Sequence, residues 1–315
     1  MNRITFQKYL RLIAVLILTL CTGACATAPP FAPRVNKYTF ALPGITHPYS
    51  LLLVCDLHLI AENDPQVNEA DRNLVAVRRE AFRGPYGTAD VYWEKLVSVL
   101  DNTDADLIVF AGDMIDYASE QNHTLLREGL EQIKTPFVYL RADHDTDRWY
   151  TDEHMPAEDV THFHDEMADN SAIQIRDLGE MSVIGWNNST SPMTQAHADM
   201  LKQLSETADP AKPMVFFTHV PLKPESDEAL AARSAENHEG RALLWGSDCY
   251  HKPDDITAQA LSLIYENRLP VFHVFAGHLH FAYDGPLTEH CEQHVLAPAF
   301  EDNITLVTFV PAPNR

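Results

Sequence analysis

Positive charge is scarce in this chain: 23 Lys and Arg face 45 Asp and Glu, for a formal net charge of -22. So acidic a surface repels nucleic acid and anionic lipid at long range, which argues against nucleic acid as a partner. A small phosphate ester is still compatible, because bound metal ions dominate the local field of a site. Cysteine is sparse too. There are five, none in the CxxC spacing of a structural zinc site. The apolar run LIAVLILTL at residues 12–20 is too short to span a bilayer comfortably. No internal repeat, low-complexity block or long linker breaks the rest. What is present is ordinary globular composition, with 45% hydrophobic and 22% charged residues, so a buried core is expected.

The N-terminus stands apart. Arg3, Lys8 and Arg11 precede the apolar run, and small residues follow it, which is a secretory signal pattern. Thr22-Gly23-Ala24-Cys25 resembles a bacterial lipobox with Cys25 as the lipidated residue, although Thr22 stands where Leu is usual. Ala24-Cys25-Ala26 also fits a plain small-x-small cleavage site. The expected division is a signal peptide at 1–25, a Pro- and Ala-rich tether at 26–36 and one domain at 37–315. The expected location is the cell envelope, with a lipid anchor at Cys25 as the contact with membrane; otherwise the chain is secreted or periplasmic. No protein partner is expected. Cys55 lies in an apolar stretch and reads as a buried thiol. Cys249 and Cys291 are the two that could pair in an oxidising compartment. The N-x-S/T triplets at Asn122, Asn187, Asn188 and Asn303 matter only in a eukaryotic secretory host, which the lipobox-like ending argues against.

Strands and helices alternate along the remainder. Continuous apolar runs predict buried strands at 51–55, 107–110, 137–140, 214–218 and 271–276, with two short strands between 173 and 186 and later ones near Val295 and at 304–310. Helical spacing is found at Trp93, Leu96, Val99 and Leu100. It recurs at Leu126, Leu130 and Ile133, and at Ile256, Ala260, Leu263 and Ile264. A further helix is expected to start at Ser191-Pro192, facing inward through Met193, His197, Met200, Leu201 and Leu204. The alternation implies an α/β layered domain. The polar segment 62–87, with Arg78, Arg79 and Arg83, reads as a surface excursion, or as a lid supplying substrate contacts.

Five short motifs each follow a predicted strand: Asp56-Leu-His58, Gly112-Asp113-Met-Ile-Asp116, Ala142-Asp143-His144-Asp145, Thr218-His219-Val-Pro221 and Gly277-His278-Leu-His280. Loops at strand ends are where open α/β sheets collect ligands. Carboxylates with imidazoles suit a pair of divalent ions such as Mn, Fe or Zn. On extended backbone, D-x-H and H-x-H send alternate side chains in one direction, so both reach one metal. Two ions about 3.5–4 Å apart activate a shared water and clamp a phosphoryl group.

In this order the motifs resemble the calcineurin-like metallophosphoesterase family, over residues 51–281. The resemblance implies a four-layer fold, a two-sheet β-sandwich flanked by helices. It implies an enzyme that hydrolyses phosphoric esters, mono- or diesters, by in-line attack of metal-bound hydroxide. Asp56, His58 and His280 would hold the first metal, Asp113 would bridge, and Asp143, His219 and His278 would hold the second. His144 would protonate the leaving oxygen or bind phosphate, and Asp116 would orient His144. Two departures stand out. Asp143 replaces the family Asn, which adds a negative charge and disfavours a highly charged monoester. Ala142 replaces Gly, which takes away free access to positive φ and points to a differently shaped loop. Tyr117 stands where protein Ser/Thr phosphatases continue with Arg-Gly, so protein dephosphorylation is disfavoured. The competing readings are a non-catalytic scaffold that retains the fold and an envelope metal-binding lipoprotein. Outside the motifs, the bland reading is preferred: His273 and His197 as hydrogen-bonded structural residues, His162 and His164 as loop residues, and Asp145 as a local hydrogen-bonding group.

Overall fold

The computed structural model describes residues 31–150, 173–189, 192–247, 252 and 254–313. The strands are β1 (Arg34–Leu42), β2 (Tyr49–Val54), β3 (Leu107–Ala111), β4 (Phe137–Leu140), β5 (Ile173–Asp177), β6 (Ser182–Trp186), β7 (Met214–Thr218), β8 (Val271–Ala276), β9 (Tyr283–Pro286), β10 (Glu292–Val295) and β11 (Asn303–Pro311). The helices are α1 (Arg72–Ala81), α2 (Ala89–Asp101), α3 (Glu120–Leu130), the single turn α4 (Asp143–Thr146), α5 (Gln195–Thr207), α6 (Ala229–Asn237) and α7 (Asp255–Tyr265). One sheet has the order β1-β11-β2-β3-β4 and the other β5-β6-β7-β8-β10-β9. β2, β3 and β4 are parallel to one another, and so are β6, β7 and β8.

Alternation along the strands explains the layers. In β2, Leu51 and Leu53 join Val109, Leu140, Val183, Val215, Phe217 and Phe275 in a core between the two sheets. On the far side of the first sheet, Trp93 of α2 meets Phe110 edge to face at 6.2 Å. On the far side of the second, Leu201 of α5 and Ala260, Leu261 and Ile264 of α7 cover Ile184, Phe216 and Val274. These are the four layers, helices, sheet, sheet and helices, that the family resemblance implies. Among the described residues no helix is long and apolar enough to cross a membrane.

Several expectations change in detail. Residues 34–36, expected as the end of a tether, open β1, paired in register with β11. The helix expected from Ser191-Pro192 begins at Gln195, and Thr194 caps it by accepting from the His197 amide at 3.4 Å. The polar segment 62–87 is no loose excursion. It carries α1, and Val75 and Phe82 pack with Ile60, Tyr117 and Tyr150 in a small core of their own. Cys55 and Cys291 are buried free thiols; Cys249, His162 and His164 lie outside the described residues. Asn122, Asn187, Asn188 and Asn303 are all buried, so the folded domain leaves no room for a glycan on any of them.

Candidate metal centre

Parallel strands bring the motifs to common sheet ends. The loops after β2, β3 and β4 come from one sheet, and those after β7 and β8 from the other. Backbone bonds lace them together: the Asp56 amide donates to Gly112 O and the His58 amide to Asp113 O, both at 3.0 Å, and the Gly277 amide donates to His219 O at 3.0 Å. Two groups of side chains result, each with potential ligand atoms within 4.8 Å of one another. One is Asp56, His58, Asp113 and His280; the other is Asp113, Asp143, His219 and His278. Asp113 is common to both.

The backbone that achieves this is not extended. Asp56, His58, Asp113, His278 and His280 all have positive φ, between 48° and 71°. The strand-like alternation expected for D-x-H and H-x-H is therefore replaced by left-handed residues, which turn both side chains of each pair inward. That conformation costs roughly 1–2 kcal/mol for an L-residue, and Asp and His tolerate it better than most. Residues held this way cluster at functional sites. Two glycines serve the same crowding. A Cβ on Gly112 would lie 2.5 Å from His219 Nδ1, and one on Gly277 would lie 2.7 Å from Asp56 Oδ2. Ala142 needs no such freedom, since its φ is -123° and its ψ -175°. The loop that was expected to change shape thus accepts alanine in ordinary extended backbone.

The donor atoms fit cations. His58 Nε2 and His280 Nε2 face each other at 3.1 Å, and His58 Nε2 is 3.6 Å from Asp113 Oδ2. His219 Nε2 is 3.2 Å from the same oxygen. Asp56 Oδ2 and Asp113 Oδ1 are buried without a hydrogen-bond donor, a costly state for a carboxylate unless a cation supplies the partner. Burial works to lower His144 and His219, but Asp113 and the neighbouring carboxylates outweigh it, and both are pushed up to about 10. The carboxylates thus draw positive charge toward themselves. Burial lowers His278 and His280 to about 3, which keeps both in the neutral form a metal requires.

The hydrogen bonds behind these residues fix their tautomers. His58 Nδ1 donates to Asp116 Oδ1 at 2.9 Å. His219 Nδ1 donates to Ala111 O at 2.8 Å. Each ring therefore presents Nε2 to the centre. Asp145 is a structural acceptor: its carboxylate takes the amides of Asp113, Met114, Ile115 and Ala142 at 2.7–3.1 Å. Burial and the charge of Asp113 push its pKa up to about 6 against those donors.

Asp116 does hold His144, mainly through its backbone, and it has a second duty besides. Its carboxylate bonds His58 and receives a two-point fork from Arg78, through Nη2 to Oδ1 and Nε to Oδ2. His144 Nδ1 donates instead to the Asp116 backbone carbonyl at 2.7 Å, and the nearer carboxylate oxygen is 3.4 Å away. Arg78 comes from α1, the segment that looked like a surface excursion. Its guanidinium stacks over Phe82 at 4.7 Å and Trp149 at 4.6 Å, and Phe82 in turn stacks flat on His58 at 4.2 Å. Arg78 was marked in the sequence only as a cation in a possible lid.

Asn188 and Ser189, after β6, were missed as site residues. Asn188 Oδ1 accepts from the amides of His219 and Val220 at 3.1 and 2.9 Å, and its Nδ2 donates to Val220 O at 2.7 Å. Ser189 Oγ donates to Asp143 Oδ1 and accepts from the Asp143 amide. The available signal was position: a polar Asn-Asn-Ser run directly follows a fully buried strand, as the five motifs do.

The family model for calcineurin-like phosphoesterases matches residues 49–282. The chain belongs to the calcineurin-like phosphoesterases. This calcineurin-like phosphoesterase is therefore an enzyme of phosphoric ester hydrolysis, and its cofactors are two divalent metal ions, for which the paired Asp/His clusters are the candidate holders. It is similar in fold to a dimetal phosphatase from Danio rerio, at 11% identity and a TM-score of 0.51, over 86% of this chain and 94% of that one. It is also similar to a purple acid phosphatase from yellow lupin, at 12% identity and a TM-score of 0.45, over 84% of this chain and 44% of that one. No curated protein matches the sequence.

Proposed function

We propose that this phosphoesterase is an exported hydrolase of small phosphate esters. In this reading Asp56, His58, Asp113 and His280 hold one ion, Asp113, Asp143, His219 and His278 hold the other, and His144 is the acid. The observation that carries it is the convergence of six side chains on Asp113, with buried carboxylate oxygens that lack donors. Two bound dications would supply Lewis-acid polarisation and an activated water.

The chain's own groups do the rest. His144 Nδ1 is engaged as a donor to Asp116 O, and Trp149 Nε1 donates to the same carbonyl at 2.6 Å. Nε2 of His144 is thus the atom left to carry a proton to the leaving oxygen. Burial opposes that proton, whereas Asp113, Asp116 and Asp143 favour it, and the His144 side chain is 25% exposed, open to substrate. Asp116 and Arg78 position His58. Asp143 brings a third carboxylate to the pair of ions, where Asn would bring none. The lower net charge favours a diester or a modestly charged metabolite over a highly charged monoester. Retention of His144 beside the whole ligand set favours this reading over a non-catalytic scaffold.

The test is hydrolysis of chromogenic mono- and diesters by the full-length chain in mild detergent, with Mn, Fe, Zn or chelator. Turnover that chelator abolishes, and that His144→Ala removes while metal content stays, is the expected outcome. Full metal occupancy with no turnover on any ester would sink the catalytic reading. Export, and anchoring through Cys25, rest on the signal-like N-terminus. Labelling with radioactive palmitate should mark the wild type and spare Cys25→Ala; an unlabelled wild type discards the anchor.

A further inference from the structure

A third group of donor side chains shares no residue with the other two: His273 on β8, and Glu292 and His294 on β10. β8 and β10 run parallel, with Glu292 opposite His273 and His294 opposite Phe275. Asp284 on β9 is opposite His294. Alternation therefore puts all four polar residues on one face of the sheet. That face meets β1 of the other sheet, whose Phe40 ring lies 4.3 Å from His273 and 4.7 Å from His294.

The atoms converge as ligands would. His273 Nδ1 and His294 Nε2 are 3.1 Å apart, and each is 3.9 Å from Glu292 Oε2. Around a tetrahedral zinc with bonds of roughly 2.0–2.1 Å, neighbouring ligand atoms are about 3.3 Å apart, so the three need to move only by tenths of an ångström. The remaining nitrogen of His294, Nδ1, donates to Asp284 Oδ1 at 2.7 Å. That is the carboxylate–histidine pairing that fixes the tautomer of a metal-ligating imidazole, and it leaves the lone pair on Nε2. His273 and His294 are 7% and 2% exposed, while the Glu292 side chain is 62% exposed, so an ion can enter from the Glu292 side. A plain hydrogen bond between the two imidazoles would make use of Asp284 but would leave Glu292 without a role.

We propose that His273, His294 and Glu292 form a third, mononuclear site for a borderline divalent ion of the zinc type, with Asp284 positioning His294. The bound ion ties the β9–β10 edge of the second sheet to β8 and leaves one coordination position to water. It stands apart from the phosphoesterase reaction.

Zinc is the probe. The full-length chain in mild detergent is stripped with chelator, dialysed against Zn2+, and its metal counted per chain. Glu292→Ala should bind one zinc fewer than wild type, with an unchanged far-ultraviolet circular dichroism spectrum, since Glu292 is exposed. His294→Gln should lose the same ion. Asp113→Ala should lose the other zincs and keep one, which the added Glu292→Ala removes. That arrangement separates this site from the dinuclear centre: if the centre were misassigned, Asp113→Ala would leave the count unchanged while Glu292→Ala still lowered it. Saturation with zinc should also raise the melting temperature of Asp113→Ala, but not of the double variant. Equal zinc counts for wild type and Glu292→Ala would mean an adventitious ion only and overturn the proposal.

Discussion

His58 and His219 both present Nε2 toward Asp113, but what stands behind each ring differs. Behind His58 is charge: the buried Asp116 carboxylate, and behind it the Arg78 guanidinium held between Phe82 and Trp149. Behind His219 are neutral groups: the Ala111 carbonyl on Nδ1 and the Asn188 amide on the backbone. An ionic relay of this kind raises the basicity of its imidazole. It weakens with each member lost, because a buried carboxylate stripped of a partner is costly. A neutral amide network carries no desolvated charge and fails by smaller steps. The relay also reaches outward to α1, whereas the amide network stays within the strand-end loops. One half of the centre is thus open to influence from a surface helix, and the other is set by the sandwich itself.

The harshest break removes what the halves share. Asp113→Ala should reduce metal in both clusters and bring ester hydrolysis to background, read by metal analysis and a chromogenic assay. Next, Asp116→Asn should act on one half only. It should lower activity or metal affinity by roughly 10–100-fold, the usual effect of losing a group behind a metal ligand, while the ion at His219 and His278 stays bound. Equal loss of both ions would show that the halves are not separately supported. Arg78→Ala should give the same pattern more weakly, about tenfold at most, because Asp116 keeps its bond to His58. Asn188→Ala should read out mainly as stability. Leaving the amides of His219 and Val220 unpaired costs about 1–3 kcal/mol, visible in the denaturation midpoint with activity less affected. The gentlest change is Asp143→Asn, which removes a charge without removing the donor oxygen. It should loosen metal binding slightly and shift preference from diester toward monoester by a few-fold, roughly the scale of 1 kcal/mol. Unchanged affinity and unchanged preference would discard the charge argument.

Much of the molecule was legible in one dimension. The β strands at 137–140, 214–218 and 271–276 fall where near-continuous apolar runs do, with His273 and Thr218 as interruptions, because a strand covered on both faces is apolar along most of its length. The motif residues were legible for a chemical reason: few side chains can ligate a dication. Less could be read about how they reach it. D-x-H suggested strand alternation, whereas Asp56 and His58 are left-handed, a conformation that leaves no periodic trace. The atom through which Asp116 chiefly holds His144 was not legible for a related reason. His144 is indeed its neighbour, but through the backbone carbonyl, and nothing in the order of residues distinguishes carbonyl from carboxylate.

By itself the sequence determined the donor set, its order along the chain and the alternation of strands and helices, since these follow from side-chain chemistry and from periodicity. The family resemblance had already divided the donors around Asp113; only the tertiary structure decided that Arg78 of α1 reaches Asp116, that Asn188 and Ser189 underpin the second cluster, and that His273 meets His294. Each of those depends on which strand or loop becomes the neighbour of which. β8 pairs with β10, and β9, which lies between them in sequence, takes the sheet edge; burial against a common core selects that order, not the local pattern of any one segment.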